Sequence, residues 1–180
     1  MEKHSWAVRW LHWVNFPLLL VMVWSGLMIY WSWQPYSIGA WHFFPAGFFS
    51  ALGLQHRLAE GIAIHFTFMW FFALNGMAYA AYCLVSGEWR ALVNDGKYSI
   101  AQRIAYCAVL LMGFGLLVTG LAIHKPIQVA WLTALLGGYE WARAEHFTLT
   151  LGVLVFFLIH MLQVARAGWK NFRSMVVGCE

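Results

Sequence analysis

Long apolar segments separated by short polar ones dominate this chain, and their length predicts four membrane-spanning helices. An α-helix needs about 20 consecutive apolar residues to cross the hydrocarbon core of a bilayer. The predicted spans run from Trp10 to Trp31, from Leu58 to Val85, from Ile104 to Ile123 and from Phe147 to Ala165. We therefore predict an all-α fold: an integral membrane four-helix bundle that forms a single domain over residues 1–180.

The composition supports a membrane protein and excludes several kinds of site. The 180 residues are 62% hydrophobic and 10% charged, whereas soluble domains carry about 25% charged residues. The three cysteines form neither C-x-x-C nor C-x-x-C-H, which argues against a dithiol redox motif and against covalently attached c-type haem. No small-residue cleavage site follows the first apolar segment, so we interpret it as a span rather than a signal peptide.

The basic residues predict the orientation of the chain. Three lie on the side of the loop between spans one and two and the loop between spans three and four: Arg57, Lys125 and Arg143. Eight lie on the side of both termini: Lys3, Arg9, Arg90, Lys97, Arg103, Arg166, Lys170 and Arg173. The positive-inside rule therefore predicts cytoplasmic termini. The net charge of +4 is spread around the spans and does not suggest a nucleic-acid partner.

The loop over residues 32–55 is unusually aromatic. Its large rings are Trp33, Tyr36, Trp41, Phe43, Phe44, Phe48 and Phe49. Aromatic residues anchor membrane proteins at the lipid–water interface, and exposed apolar patches also dock partner proteins. The sequence leaves both interpretations open.

Two histidines, His146 and His160, lie fourteen residues apart in the fourth apolar segment. Fourteen residues of α-helix rise about 21 Å and turn almost four times, so both imidazoles project from nearly the same face at two depths. Ionisable residues inside a membrane span are costly, which makes a functional role the default interpretation.

The outer member of this pair has a counterpart in span two. His65 lies 22 residues before Gly87, and His146 lies 22 residues before Gly168. Spans two and four run in the same direction, and each of these glycines marks a cytoplasmic end. We therefore expect His65 and His146 to lie level with each other near the outer face.

The inner member has a counterpart in span one. His12 lies eight residues after His4, and His160 lies eight residues before Gly168. Both positions are close to the cytoplasmic face, so we expect His12 and His160 to lie level with each other.

Two pairs of imidazoles at two depths match the ligands of two stacked haems. Two histidines per iron leave no open position for oxygen, so such haems carry electrons rather than activate a substrate. This pattern predicts two non-covalent haem b groups, ligated by His65 with His146 and by His12 with His160. Zinc is disfavoured because the separated pairs lack a third ligand.

The main rival to His65 is His56, nine residues earlier. Choosing His56 would raise the outer ligand by about 13 Å, out of register with His146. The remaining histidines, His4, His42 and His124, are interpreted as interfacial or loop residues.

Arginines near the span ends are candidates for the anionic haem propionates. Arg9 is one turn before His12, Arg57 and Arg143 lie on the outer side, and Arg166 and Arg103 lie on the inner side. Orientation and headgroup contact are the alternative roles.

Glycines within the spans leave room for a flat macrocycle or for close packing of helices. The candidates are Gly61, Gly76, Gly113, Gly115 and Gly120. A quinone site is expected as well, and Asn15, Arg166 and Lys97 are its inner-side candidates.

The chain resembles a known family in three motifs: Arg9-Trp10-Leu11-His12-Trp13, Ile64-His65-Phe66, and the His146 and His160 pair. The resemblance is to the four-helix b-type cytochrome subunits of bacterial nickel–iron hydrogenases, formate dehydrogenases and thiosulfate reductases, which are related to bacterial cytochrome b561. It implies a multi-pass protein of the bacterial inner membrane that holds two haem b groups. It also implies coupling to quinone and an extracytoplasmic redox partner. The family's ligands carry over onto His12, His65, His146 and His160.

Residues 57–61, 86–90 and 135–140 look closest to a subgroup paired with sulfite-oxidase-like molybdopterin enzymes, which implies such an enzyme as the periplasmic partner. The loop over residues 88–102 is short for that subgroup.

Three functions compete on this sequence. The leading one is an electron-transfer subunit between quinone and a periplasmic oxidoreductase, rather than the subunit that converts the substrate. The second is a stand-alone superoxide:quinone oxidoreductase, which would need a basic funnel at the outer face. The third is a haem-free transporter in which histidines relay protons.

Overall fold

The computed structural model describes residues 5–32, 37–38, 41–45, 47–87, 89–90 and 99–178. The features predicted at Lys3, His4, Trp33, Tyr36 and Lys97 lie outside these residues, as do the side chains of Trp41 and His42. The elements are α1 Trp6–Ser32, β1 Ser37–Ile38, β2 Trp41–His42, α2 Phe48–Ala51, α3 Leu58–Ser86, α4 Ile100–His124, α5 Ala130–Leu135, α6 Tyr139–Ala167 and α7 Trp169–Val177. The all-α class is confirmed, since β1 and β2 form only a two-residue antiparallel ladder.

Helices α1, α3, α4 and α6 are each long and apolar enough to cross a membrane, which confirms the four predicted spans. Large apolar side chains project outward along them: Trp70 is 59% exposed, Leu111 is 70% exposed and Leu158 is 67% exposed. Such exposure along apolar helices is suited to contact with lipid.

The fourth span begins earlier than predicted. Helix α6 begins at Tyr139, eight residues before the predicted start at Phe147. Its first two turns contain Glu140, Arg143 and Glu145, which lower the local hydropathy without interrupting the helix. Because the helix extends past the hydrocarbon core, hydropathy alone underestimates its length.

The first and third spans also begin early, and each has a polar cap. Helix α1 follows Ser5, whose hydroxyl accepts a 3.3 Å hydrogen bond from the Val8 N–H. Helix α4 follows Ser99, which forms a reciprocal capping box with Gln102. Such caps satisfy N–H groups that the first helical turn leaves without partners.

The chain divides into two compact units. The first unit is Trp10–Tyr79, which contains most of α1 and α3. These two helices are antiparallel and approach closely at Gly61, where a Cβ would lie 2.7 Å from the Met28 Cβ. At their other end, the Asn75 Nδ2 donates a 3.1 Å hydrogen bond to the Leu11 carbonyl. Gly61 therefore serves close helix packing, one of its two predicted roles.

The second unit comprises Met1–Arg9 and Ala80–Glu180. Its α4 and α6 pack through small residues, with Leu149 of α6 lying against Gly115 and Met112 of α4 lying against Gly152. Helix α5 covers the end of this pair, and its Leu132 packs into a buried cluster with Ala122 and Ala142.

Part of the aromatic loop forms a small core of its own in the first unit. Phe44 stacks on Phe48 with ring centroids 4.6 Å apart, and Phe49 stacks on Tyr30 of α1 at 5.9 Å. Phe43 is 51% exposed. Several of the rings interpreted as membrane anchors or docking residues thus hold the loop against the end of α1.

Candidate functional site

The two predicted outer ligands occupy equivalent places in their helices. His65 is the eighth residue of α3 and His146 is the eighth residue of α6, and both helices have 29 residues. Both helices are followed by a glycine with positive φ, at +74° for Gly87 and +83° for Gly168. The two glycines used as depth markers in the sequence are therefore equivalent helix ends in the structure.

His65 is held from α1 by a serine hydroxyl. The Ser25 Oγ lies 3.0 Å from the His65 Nδ1, and it also donates a 2.7 Å hydrogen bond to the Val21 carbonyl of its own helix. Ser25 is fully buried. This contact lies within the first unit, between the end of α1 and the beginning of α3.

His146 is held from α4 in the same way. The Thr119 Oγ1 lies 2.9 Å from the His146 Nδ1 and donates a 2.7 Å hydrogen bond to the Gly115 carbonyl. Thr119 is also buried. Neither hydroxyl contact was predicted from the sequence, although a hydroxyl residue followed by glycine recurs at 25–26 and 119–120.

The glycines after these hydroxyl residues lie beside the imidazoles. A Cβ at Gly26 would lie 3.6 Å from the His65 Cε1, and one at Gly120 would lie 3.3 Å from the His146 Cε1. Gly120 thus provides space for the ligand ring itself. Gly76 and Gly113, also predicted to leave room for a macrocycle, face open space, since a Cβ at either would meet no described atom within 4 Å.

The hydroxyl contacts suit histidines that bind haem iron. Each hydroxyl has one hydrogen and donates it to a backbone carbonyl, which can only accept. In the contact between the hydroxyl and the imidazole, Nδ1–H is therefore the donor. The proton then resides on Nδ1, and Nε2 carries the lone pair that a metal requires. The donor chemistry at His65 and His146 therefore fits haem b ligation.

The predicted inner ligands have aromatic neighbours. The ring of His12 is exposed and lies edge-on to Trp13, with centroids 5.6 Å apart. His160 is half-buried and parallel to Phe156, one turn earlier on α6, at 6.1 Å. His146 and His160 lie on one uninterrupted helix, as their fourteen-residue spacing predicted.

His56, the rival to His65, lies outside the long helices. It precedes the first residue of α3 and has a positive φ of 60°. Its ring packs against Trp31 at the end of α1, with centroids 4.6 Å apart.

Arg57 and Arg9, two of the arginines predicted to contact haem propionates, differ in the hydrogen bonds of their guanidinium groups. Arg57 donates from Nε to the Glu60 Oε2 at 2.8 Å, and this hydrogen bond raises the pKa of Arg57 above its ordinary value. Arg9 places Nη1 3.5 Å from the Val176 carbonyl. Its Nε is buried with no hydrogen-bond partner within the described part of the chain, which leaves a donor for an anionic group.

The other candidate arginines on α6 differ in exposure. Arg166 is exposed near the end of the helix. The side chain of Arg143 is 12% exposed, and its Nη1 lies 3.6 Å from the Glu140 Oε2. Arg143 is three residues before His146, so the two share a helix face.

Of the predicted quinone contacts, Asn15 lies 3.4 Å from the Asn75 Nδ2. This places an amide pair within the first unit, close in sequence to His12.

Comparisons with known proteins identify the family of this chain. The family model for prokaryotic cytochrome b561 matches residues 3–178. A relative from Azospira oryzae, named "Putative protein-methionine-sulfoxide reductase subunit YedZ1", is 31% identical over 193 aligned residues, covering 92% of this chain and 93% of the relative. No solved structure gives a significant match. The resemblance stated from the sequence is thereby confirmed, and the chain belongs to the prokaryotic cytochrome b561 family of multi-pass membrane proteins that bind haem b and transfer electrons.

Proposed function

We propose that this chain binds two haem b groups through paired histidines and transfers electrons across the bacterial inner membrane, from quinol to an extracytoplasmic reductase. The proposed ligands are His65 with His146 for the outer haem and His12 with His160 for the inner haem. When bound, each haem supplies a one-electron couple between ferric and ferrous iron.

The observation that carries this proposal is the matched setting of His65 and His146. They occupy the same position in helices of equal length, and a buried hydroxyl lies within 3.0 Å of each Nδ1. The two histidines thus share their helix position and the ring nitrogen that contacts a hydroxyl. A common role as ligands of one iron accounts for both features.

The surroundings of the inner pair support a cofactor there as well. The Arg9 Nε has no hydrogen-bond partner among the described residues, although it is buried. A buried donor without a partner costs free energy, and a haem propionate would remove that cost. Arg9 lies one turn before His12, on the same face of α1.

The proposed partner and direction of electron flow are supported by the Azospira oryzae relative, whose name is "Putative protein-methionine-sulfoxide reductase subunit YedZ1". Reducing a sulfoxide to a thioether consumes two electrons and two protons and releases water. A membrane subunit for that reaction would deliver electrons to the enzyme, and with quinone as the proposed membrane carrier its reduced form, quinol, would be the donor. We infer a periplasmic reductase of the sulfite-oxidase-like molybdopterin class as the partner of this chain.

The outer arginines argue against the stand-alone superoxide oxidoreductase. A basic funnel requires positive charges that are not neutralised locally. Arg57 is paired with Glu60, and Arg143 lies near Glu140. These two pairs offset the charges of two of the three outer basic residues and leave Lys125 as the third.

Haem quantitation with single-histidine variants tests the proposal. The purified wild type should contain two low-spin haems b per chain. His146→Ala and His160→Ala should each retain one haem, and His56→Ala is the matched control that should retain both. Retention of both haems in His65→Ala, together with loss of one haem in His56→Ala, would show that His56 rather than His65 is the outer ligand. Retention of both in His160→Ala would refute the inner pair.

The partner is tested separately. The full-length chain should co-purify with a periplasmic molybdopterin reductase and reduce it in the presence of quinol. Superoxide-dependent quinone reduction by the chain alone, without such a partner, would favour the stand-alone function instead.

A further inference from the structure

The same small motif recurs in both units beside a proposed outer ligand. A buried hydroxyl residue is followed by glycine near the end of one long helix, and the next long helix brings a histidine against both. Ser25 and Gly26 meet His65 in the first unit, and Thr119 and Gly120 meet His146 in the second. Two independent occurrences point to a function of the hydroxyl rather than to chance packing.

The proton arrangement at each hydroxyl is set by its own helix. The hydroxyls of Ser25 and Thr119 each donate a 2.7 Å hydrogen bond to the carbonyl four residues earlier. A hydroxyl has a single hydrogen, so its remaining capacity is to accept from the imidazole. The Nδ1–H therefore points at the hydroxyl, and the lone pair that a metal would bind is on Nε2. The helix carbonyl fixes the hydroxyl, and the hydroxyl fixes the histidine tautomer.

In the second unit, the adjacent glycine also limits where the ring lies. The His146 Cε1 would be 3.3 Å from a Cβ at position 120, which is closer than ordinary contact. A larger residue there would displace the ring by a few tenths of an ångström. A Cβ at Gly26 would lie 3.6 Å from the His65 Cε1, an ordinary contact, so the hydroxyl is the feature that acts on both rings.

We propose that Ser25 and Thr119 are positioning residues that hold His65 and His146 in the Nε2-ligating tautomer and lower the reduction potential of the outer haem. This inference rests on the proposed ligation of one haem by both histidines. A hydrogen bond from Nδ1–H makes an imidazole a more basic ligand. A more basic ligand stabilises ferric iron more than ferrous iron and so lowers the potential.

Burial makes the effect specific to these two hydroxyls. Ser25 is 0% exposed and Thr119 is 2% exposed, so water has little access to replace a lost hydroxyl. The chain also offers matched controls in Thr67 and Thr148. Each of these hydroxyls donates a 2.8 Å hydrogen bond to the carbonyl four residues earlier, as the Thr119 hydroxyl does, but each residue is exposed on its helix.

The test is a redox titration of both haems in the full-length holoprotein, with EPR of the ferric haems. We expect Ser25→Ala and Thr119→Val each to raise the potential of one haem, with a change of about tenfold in its reduction equilibrium, which is ~59 mV for one electron. The double variant should shift further in the same direction. Thr119→Ser retains the hydroxyl and should restore the wild-type potential. Thr67→Val and Thr148→Val should leave both haems unchanged.

The sign of the shift separates tuning from simple loosening. A loosened site admits water, which stabilises the more charged ferric form and lowers the potential, whereas loss of the hydrogen bond raises it. A lowered potential, or potentials and EPR signals equal to those of Thr148→Val, would overturn the proposal. If Thr119→Val binds too little haem to titrate, Ser25→Ala decides by the same criterion against Thr67→Val.

The ligand variants keep this result distinct from the proposed function. Unchanged potentials in Ser25→Ala and Thr119→Val, with one haem lost in His146→Ala, would refute only the positioning role. Two haems retained in both His65→Ala and His146→Ala would refute the ligation and the positioning role together.

Discussion

Replacing Gly61 by alanine should separate α1 from α3 and weaken the outer haem site. The new Cβ would lie 2.7 Å from the Met28 Cβ and 3.1 Å from the Ser25 carbonyl oxygen. Carbon atoms in good contact are about 3.5–4.0 Å apart, so the helices must move by about 0.8 Å. The obstructing atoms belong to the backbone or are attached to it, so a change of rotamer cannot relieve the clash.

The expected loss of stability is the overpacking cost of about 1–3 kcal/mol. It is partly offset by the better helix propensity of alanine, which is worth up to about 1 kcal/mol. The same displacement would stretch the 3.0 Å contact between Ser25 and His65 to nearly 4 Å, beyond hydrogen-bond range. Gly61→Ala should therefore lose stability and change the outer haem together.

The assay is unfolding of the purified holoprotein in detergent, followed by the haem Soret band and by circular dichroism. Gly76→Ala is the matched control, because position 76 lies on the same helix with open space around it. It gains the same helix propensity without the clash, so the difference between the two variants isolates the packing term. Equal stability of the two variants, with unchanged haem potentials, would refute the close-packing argument.

Two further predictions concern single residues. Gly120→Ala should push the His146 ring by a few tenths of an ångström and weaken retention of the proposed outer haem about tenfold. Gly113→Ala is the control and should not weaken haem retention. Equal rates of haem loss from the two variants, measured by transfer to apomyoglobin, would contradict this prediction. Asn75→Leu removes the hydrogen bond to the Leu11 carbonyl and should lower the free energy of unfolding by about 0.5–1.5 kcal/mol, with the haem content at the wild-type value. An unchanged free energy in an unfolding titration would show that this hydrogen bond does not stabilise the protein.

Hydropathy predicted the existence of the four spans but not their ends. A bilayer-length apolar run is a strong signal because lipid requires every backbone group to be satisfied within the helix. The first turns of α6 carry charge and extend beyond the apolar run. The capping box at Ser99 and Gln102 is a local signal that would have placed the start of α4 correctly.

The histidines proposed as ligands could be selected from the sequence, but the hydroxyls that contact two of them could not. Histidines inside apolar segments stand out, and their spacing on α6 follows from helix geometry. Ser25 and Thr119 look like ordinary small residues of membrane helices, since which histidine they meet depends on how two helices rotate against each other. The two predicted roles of Gly61, close helix packing and space for a macrocycle, could not be distinguished from the sequence for the same reason.

The aromatic loop was predicted to be a surface for lipid or for a partner, and composition could not show how its rings contact one another. In the structure Phe44, Phe48 and Phe49 pack on one another and around Tyr30, while Phe43 is 51% exposed. Membrane anchoring and partner docking stay predictions, because the contacts between these rings depend on how the loop packs against the end of α1.

The uninterrupted course of α6 from Tyr139 to Ala167 bears on how the protein tolerates bilayers of different thickness. A helix that is too long for a thin bilayer responds by tilting. Tilting shortens the projection of the His146–His160 spacing on the membrane normal but leaves the separation along the helix at about 21 Å. Electron tunnelling depends on the separation between cofactors and not on its projection on the membrane normal. If His146 and His160 are the ligands proposed above, a change in lipid composition that tilts α6 should leave their separation, and the rate of electron transfer between the two haems, unchanged.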